Sequence, residues 1–133
     1  MVVRRLSMFS LMLLFVGIAL YVAASFNVAF KSHMRWLLFS HSYQHKLSAF
    51  PALNAGDFRH IEWDGWGFPG AGNTVVYLVY DPSNSLQAAA ASQRPGKYRG
   101  LPCEVYSVNK LQSSYYAVQF YTGTDWQHCV GGG

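Results

Sequence analysis

His60, Glu62 and Asp64 stand at alternate positions, and alternate side chains of a β-strand project from one face. One imidazole and two carboxylates on one face can serve as a general acid and base, or can hold a metal. This trio is the catalytic candidate of the chain. The same alternation is also how the solvent side of a half-buried strand reads, and no second cluster is placed to meet it. His41 and His45 are four residues apart, a spacing that puts two ligands on neighbouring helical turns, but Ser, Tyr and Gln lie between them where a zinc protease carries its catalytic Glu. They read as a solvated helix face. Cys103, His128 and Cys129 lack a CxxC pair and a fourth spaced ligand, so no metal is expected there. The chain has no Walker loop, CxxC pair, ordered Ser/His/Asp set or Asn-x-Ser/Thr acceptor, and no cofactor is implied.

Gly65-Trp66-Gly67-Phe68-Pro69-Gly70 fits the GxGxxG spacing of dinucleotide binding. That motif works because its glycines lead into a helix whose N-terminus receives the pyrophosphate. Here they lead into the most strand-like run of the chain, so Gly65 to Asn73 reads as a wide glycine-rich hairpin loop. On such a loop Trp66 and Phe68 are candidate anchors for another protein or a carbohydrate. Arg94, Lys97 and Arg99 crowd three positive charges into one turn around Tyr98, a candidate contact for an anion or a headgroup.

Strands must position these groups. Phe58 to Trp66 alternates, with His60, Glu62 and Asp64 on one side and Arg59, Ile61 and Trp63 on the other. Thr74 to Tyr80 is apolar on both sides and rich in β-branched and aromatic residues, which predicts a central strand. Asp81-Pro82 predicts a helix start, an N-cap followed by proline at the first helical position, with the helix running through Leu86 to Ser92 and ending before Pro95-Gly96. Cys103 to Val108 and Tyr115 to Thr122 form a second strand pair around a turn at Asn109 to Ser114. Antiparallel pairing brings Cys103 beside the Thr122 region, within reach of Cys129, so a Cys103–Cys129 disulfide is expected.

Ahead of this domain lie 25 residues without a charge, Leu6 to Phe30, between Arg4 and Arg5 on one side and Lys31 and Arg35 on the other. About 20 helical residues cross the apolar slab of a bilayer, so the stretch predicts a membrane anchor. A cleaved secretory signal is the alternative, with Val22-Ala23-Ala24 before Ser25 as the cut site. Lys31 to Phe50 predicts a juxtamembrane amphipathic helix with Trp36, Phe39, Tyr43, Leu47 and Phe50 on one stripe. Trp36 would sit at the bilayer interface, Lys31 and Arg35 would meet headgroups, and Pro51 would end the helix.

The net charge of +4 is uneven. The first fifty residues hold Arg4, Arg5, Lys31, Arg35 and Lys46 with no acid, whereas everything after Phe50 has five basic and six acidic residues. The domain is near neutral, which argues against nucleic-acid binding. Two cysteines, an even number, suit an oxidising compartment.

The expected fold class is α+β: an N-terminal transmembrane helix (1–30), the amphipathic helix (31–50), and a small domain (57–130) with about four antiparallel strands in ββαββ order and one helix packed on the sheet. Residues 131–133 form a disordered tail. The expected function is a single-pass, membrane-anchored, extracytoplasmic binding or accessory module with the lipid bilayer as one partner. The rivals are a small hydrolase or metal-dependent enzyme using His60, Glu62 and Asp64, and a secreted protein released from its signal peptide.

Overall fold

A computed structural model of the chain describes residues 2–25, 27–50, 58–68, 72–121, 124, 126, 127 and 129. Its elements are α1 (Val2–Ser25), α2 (Val28–Ala49), β1 (Arg59–Phe68), β2 (Gly72–Tyr80), α3 (Gln87–Ser92), β3 (Val105–Gln112) and β4 (Tyr115–Phe120). The fold is α+β with the expected ββαββ order and a four-stranded antiparallel sheet. The chain divides into two units, Met1–Leu38 and Phe39–Gly133, with the boundary inside α2.

In the first unit the uncharged stretch is two helices rather than one. Its break is capped by Asn27, whose Oδ1 accepts the Phe30 N–H at 3.1 Å and whose carbonyl accepts the Lys31 N–H at 3.0 Å. An asparagine at this position satisfies amides that a helix start otherwise leaves open, so one helix can end and another begin without a charged residue. From Met8 to Val22 the large apolar side chains of α1 are exposed on every side, Leu14 at 62 % and Tyr21 at 75 % among them. On the first turns of α2, Phe30, Met34, Leu37 and Leu38 form an exposed apolar stripe, while Ser32 and Trp36 are buried. Trp36, expected at a bilayer interface, is only 4 % exposed. Among the described residues no single helix is long and apolar enough to cross a membrane; Met8–Ala24 and Ala29–Ala49 pass that test together as a bent pair.

The expected stripe of α2 is only partly buried. Trp36 and Leu47 are buried and Tyr43 half-buried, whereas Phe39 and Phe50 are exposed. At 100° per residue Phe39 lies about 60° round the helix from Trp36, and Phe50 follows the last helical residue. Pro51, the expected stop, and Gly131 to Gly133, the expected tail, lie outside the described residues.

The second unit is built on the sheet, in the order β1-β2-β4-β3. One face carries Tyr77, Val79, Val105, Val108, Tyr116, Val118 and Phe120, which pack with Leu86, Ala89, Leu101 and Trp126 into the buried core. The Cys103–Cys129 disulfide, with Cα atoms 5.3 Å apart, borders this core. The opposite face carries Ile61, Val76, Leu78 and Ala117, of which the last three are fully buried. The last turns of α2 lie on this side, with Tyr43 edge-on to Trp63 at 5.8 Å. Edge strand β3 is partly closed by an antiparallel bridge from Gly96 to Val105, which shields ladder groups that would otherwise be open to a foreign strand.

Three expected boundaries change. The β1–β2 ladder continues through Gly65, Trp66, Gly67 and Phe68, so most of the supposed loop is strand. The Gly65–Gly70 motif therefore lies in a hairpin and leads into no helix. The helix expected from Asp81 starts only at Gln87, because the Asp81 carboxylate is spent on a run of turns. β3 extends to Gln112 and leaves a two-residue turn, Ser113-Ser114.

Candidate functional site

The expected catalytic trio does not share a face. His60 pairs with Val79 and Glu62 with Tyr77, but a bulge at Trp63 shifts the register so that Asp64 pairs with Val76. One extra residue in a period-two element turns everything beyond it over, and Asp64 thereby leaves the face of His60 and Glu62. His60 is committed to packing: its ring stacks on Trp126 at 3.8 Å and meets Tyr77 edge-on at 5.7 Å. Its Nδ1–H donates to the Phe58 carbonyl at 2.9 Å. Glu62 is exposed. Among the described residues no three His, Cys, Asp or Glu side chains are grouped to hold a metal ion.

The other sequence candidates are separate from one another. The backbones of Trp66 and Phe68 are paired to Thr74 and Gly72; their side chains, like His128, lie outside the described residues. Arg94, Lys97 and Arg99 are exposed on a turn tied by Tyr98, whose hydroxyl donates to the Arg94 carbonyl at 2.6 Å and lies 2.8 Å from Ser92 Oγ. Gly100 follows with φ +84°, and a Cβ there would collide with the Phe58 ring. Only glycine fits both conditions. His41 and His45 are exposed on α2.

A cleft of about 180 Å³ lies between the last turns of α2 and the sheet, lined by Gln44, Leu47, Ser48, Arg59, Tyr80 and Tyr115. Strand register creates it. Arg59 pairs with Tyr80 and Tyr80 with Tyr115, so three residues far apart in sequence stand in one row across β1, β2 and β4. Gln44, Leu47 and Ser48, at i, i+3 and i+4, face that row from one side of the helix. Leu47, 2 % exposed, is packed between the helix and the sheet. The two tyrosine rings are 5.1 Å apart and tilted.

The row is held rigid from behind by a buried polar network. Asp81, fully buried, accepts the N–H and hydroxyl of Ser83 at 3.0 and 2.6 Å through Oδ1. Its Oδ2 accepts the Ser85 hydroxyl and the Leu86 N–H at 3.0 and 2.8 Å. Burial raises this carboxyl's pKa, but the four hydrogen bonds to its charged form outweigh burial and hold it below the ordinary carboxylate value. The Asp81 N–H donates to the Ser114 carbonyl at 2.8 Å. Asn84, at φ 53°, accepts the Ser114 N–H at 3.0 Å and the Tyr116 hydroxyl at 3.1 Å. Asp81 follows Tyr80 and Ser114 precedes Tyr115, so these bonds clamp the paired tyrosines at the sheet end. Burial first, then the Asp81 charge, raises the Tyr116 pKa; burial first, then Tyr80, raises that of Tyr115. Both stay hydroxyls at neutral pH.

The cleft combines a guanidinium, an amide, hydroxyls and apolar surface, with no Asp or Glu in its lining. None of the side-chain hydrogen bonds formed among the described residues engages the Arg59 guanidinium, the Gln44 amide or the Tyr80 hydroxyl. Such a set can orient a small ligand; it contains no nucleophile paired with a base. Local pattern does not reveal it, because its members come from three strands and a helix.

Compared with protein-family models, with curated proteins and with solved structures, the chain matches none of them.

Proposed function

We propose that the chain is a membrane-anchored binding module whose disulfide-bonded α+β domain lies outside the cytoplasm and takes its ligand in the cleft at Arg59, Tyr80 and Tyr115. The observation that carries the anchoring is the sheath of exposed apolar side chains on α1 from Met8 to Val22. A helix whose described apolar side chains are exposed on every side is unstable in water and suits a bilayer. The exposed stripe Phe30, Met34, Leu37 and Leu38 extends the apolar surface onto α2, and Lys31 and Arg35 supply charge for headgroups. The disulfide supports an oxidising compartment. Binding rather than turnover is favoured by the dispersal of His60, Glu62 and Asp64 over two faces. In this reading Trp66 and Phe68 remain contacts for a protein or carbohydrate partner, and Arg94, Lys97 and Arg99 remain a contact for an anion or a headgroup.

Carbonate extraction of native membranes, with mass spectrometry of the N-terminus, tests the anchor. The expected result is protein retained in the pellet with residues 1–25 attached. Release with Met1 in place removes the anchor, and a mature form beginning at Ser25 establishes the secreted alternative.

A further inference from the structure

We propose that the cleft binds a small organic carboxylate, with the Arg59 guanidinium taking the carboxylate and the tyrosine rings taking an apolar body. This rests on the binding half of the reading above and is independent of the membrane half. Three observations select the ligand class.

The first is charge. The lining carries one formal positive charge and no acid, which balances a monoanion. A phosphate dianion would keep a net negative charge among neutral donors, whereas a carboxylate is planar and matches the two-pronged guanidinium. The second is size. At about 180 Å³ the cleft is small beside the roughly 300–1,000 Å³ of pockets for drug-sized ligands, which suits a benzoate-sized acid better than a nucleotide or an oligosaccharide. The third is surface. The half-buried Tyr80 and Tyr115 rings line the cleft, so an apolar or aromatic body finds contacts that a fully hydrated anion such as sulfate would not use. The Gln44 amide and the Tyr80 hydroxyl remain to orient the carboxylate oxygens, whereas the Ser48 hydroxyl donates to the His45 carbonyl at 2.8 Å. Backbone pairing with Tyr80 places the Arg59 Cα at the cleft, and the Asp81–Ser114 backbone bond holds the ends of the tyrosine strands, so the ordering needed on binding is mainly that of the Arg59 side chain.

The test uses the full-length protein in dodecyl maltoside micelles and follows 19F line broadening of 4-fluorobenzoate, with empty micelles as blank. The neutral counterpart 4-fluorobenzyl alcohol and inorganic phosphate serve as comparison ligands. The expected result is broadening of the carboxylate that unlabelled benzoate reverses and equimolar phosphate does not. The alcohol should bind about tenfold or more weakly. Arg59→Gln should weaken 4-fluorobenzoate by about tenfold or more, while Lys110→Gln, on exposed edge strand β3 and outside the cleft, leaves it unchanged. Equal binding of the alcohol, displacement by phosphate as effective as by benzoate, unaltered affinity in Arg59→Gln, or no broadening by the wild type would each overturn the proposal. If near-ultraviolet circular dichroism shows that Arg59→Gln has not folded, Tyr80→Phe replaces it, with a loss of about threefold expected and an unchanged affinity counting against the site. Protein that binds the probe but leaves the membrane in carbonate refutes only the anchor; protein that stays in the membrane and binds nothing refutes this site.

Discussion

The two faces of the sheet use the same strands for different ends. On one face Tyr77, Tyr116, Val118 and Phe120 close against Trp126, Leu86 and the disulfide. Ring contacts from 3.8 to 5.8 Å join His60, Tyr77, Phe120 and Trp126. On the other face Val76 and Leu78 are equally buried, but the row ends in Arg59, Tyr80 and Tyr115, whose polar ends line an open cleft. A strand register thus places a cleft-lining row as readily as a core row. On the first face the core runs from β2 through β4 to β3, and on the second a gap remains between the last turns of α2 and the end of the sheet.

The largest expected effect comes from breaking the closed face. Phe120→Ala should cost about 3 to 5 kcal/mol, because the emptied volume lies among rings that cannot collapse into it; urea unfolding of the micelle-held protein, followed by near-ultraviolet circular dichroism, measures it. Next is the tether beside that face. Cys103→Ser combined with Cys129→Ser should lose about 3 to 4 kcal/mol through the freed unfolded chain, and the wild type treated with reductant should show the same loss. A wild type indifferent to reductant would refute a stabilising bridge.

Asp81→Asn probes the hinge between the two faces, and about 2 to 3 kcal/mol is expected from weakened hydrogen bonds to the lost charge. The pH dependence has a definite sign. The folded carboxyl pKa is depressed, so the stability it contributes is complete above the unfolded value of about 3.9 and fades as pH falls through the lower folded value. Wild type and variant should therefore begin to approach each other in stability below about pH 4 and meet only under the lower folded value; a constant gap between them in acid would show that the charge is not what matters. The smallest effect on stability belongs to the open face. Tyr80→Phe should change stability by less than about 0.5 kcal/mol while lowering 4-fluorobenzoate binding. A large loss of stability would mean that the tyrosine hydroxyl belongs to the fold and not to the cleft.

Several elements were legible in the sequence because their causes are local. The β-branched and aromatic run Thr74 to Tyr80 is the central strand β2, the spacing of Trp36 and Leu47 marks the buried side of α2, and two cysteines flanking a predicted hairpin form the disulfide. The shared face expected for His60, Glu62 and Asp64 is lost for a reason invisible to periodicity. The bulge at Trp63 depends on how β1 lies against β2, and alternation counted along one strand cannot detect a residue skipped by its partner. Trp66 and Phe68 were assigned to a loop because glycines around them lower strand propensity, yet pairing with β2 overrides propensity.

By itself the sequence determined the class and order of the elements, the uncharged N-terminal stretch, the near-neutral domain and the covalent pairing of its cysteines, since each follows from composition, period or elimination among few residues. The tertiary structure alone decided which side chains share a face. It split the apolar stretch at Asn27, withdrew Asp81 from a helix start into a buried network, and brought Arg59, Tyr80 and Tyr115 into one row. Those outcomes depend on the alignment of segments distant in the chain or on competing hydrogen bonds, and hydrogen-bond geometry between partners is a property of the folded chain rather than of any window along it.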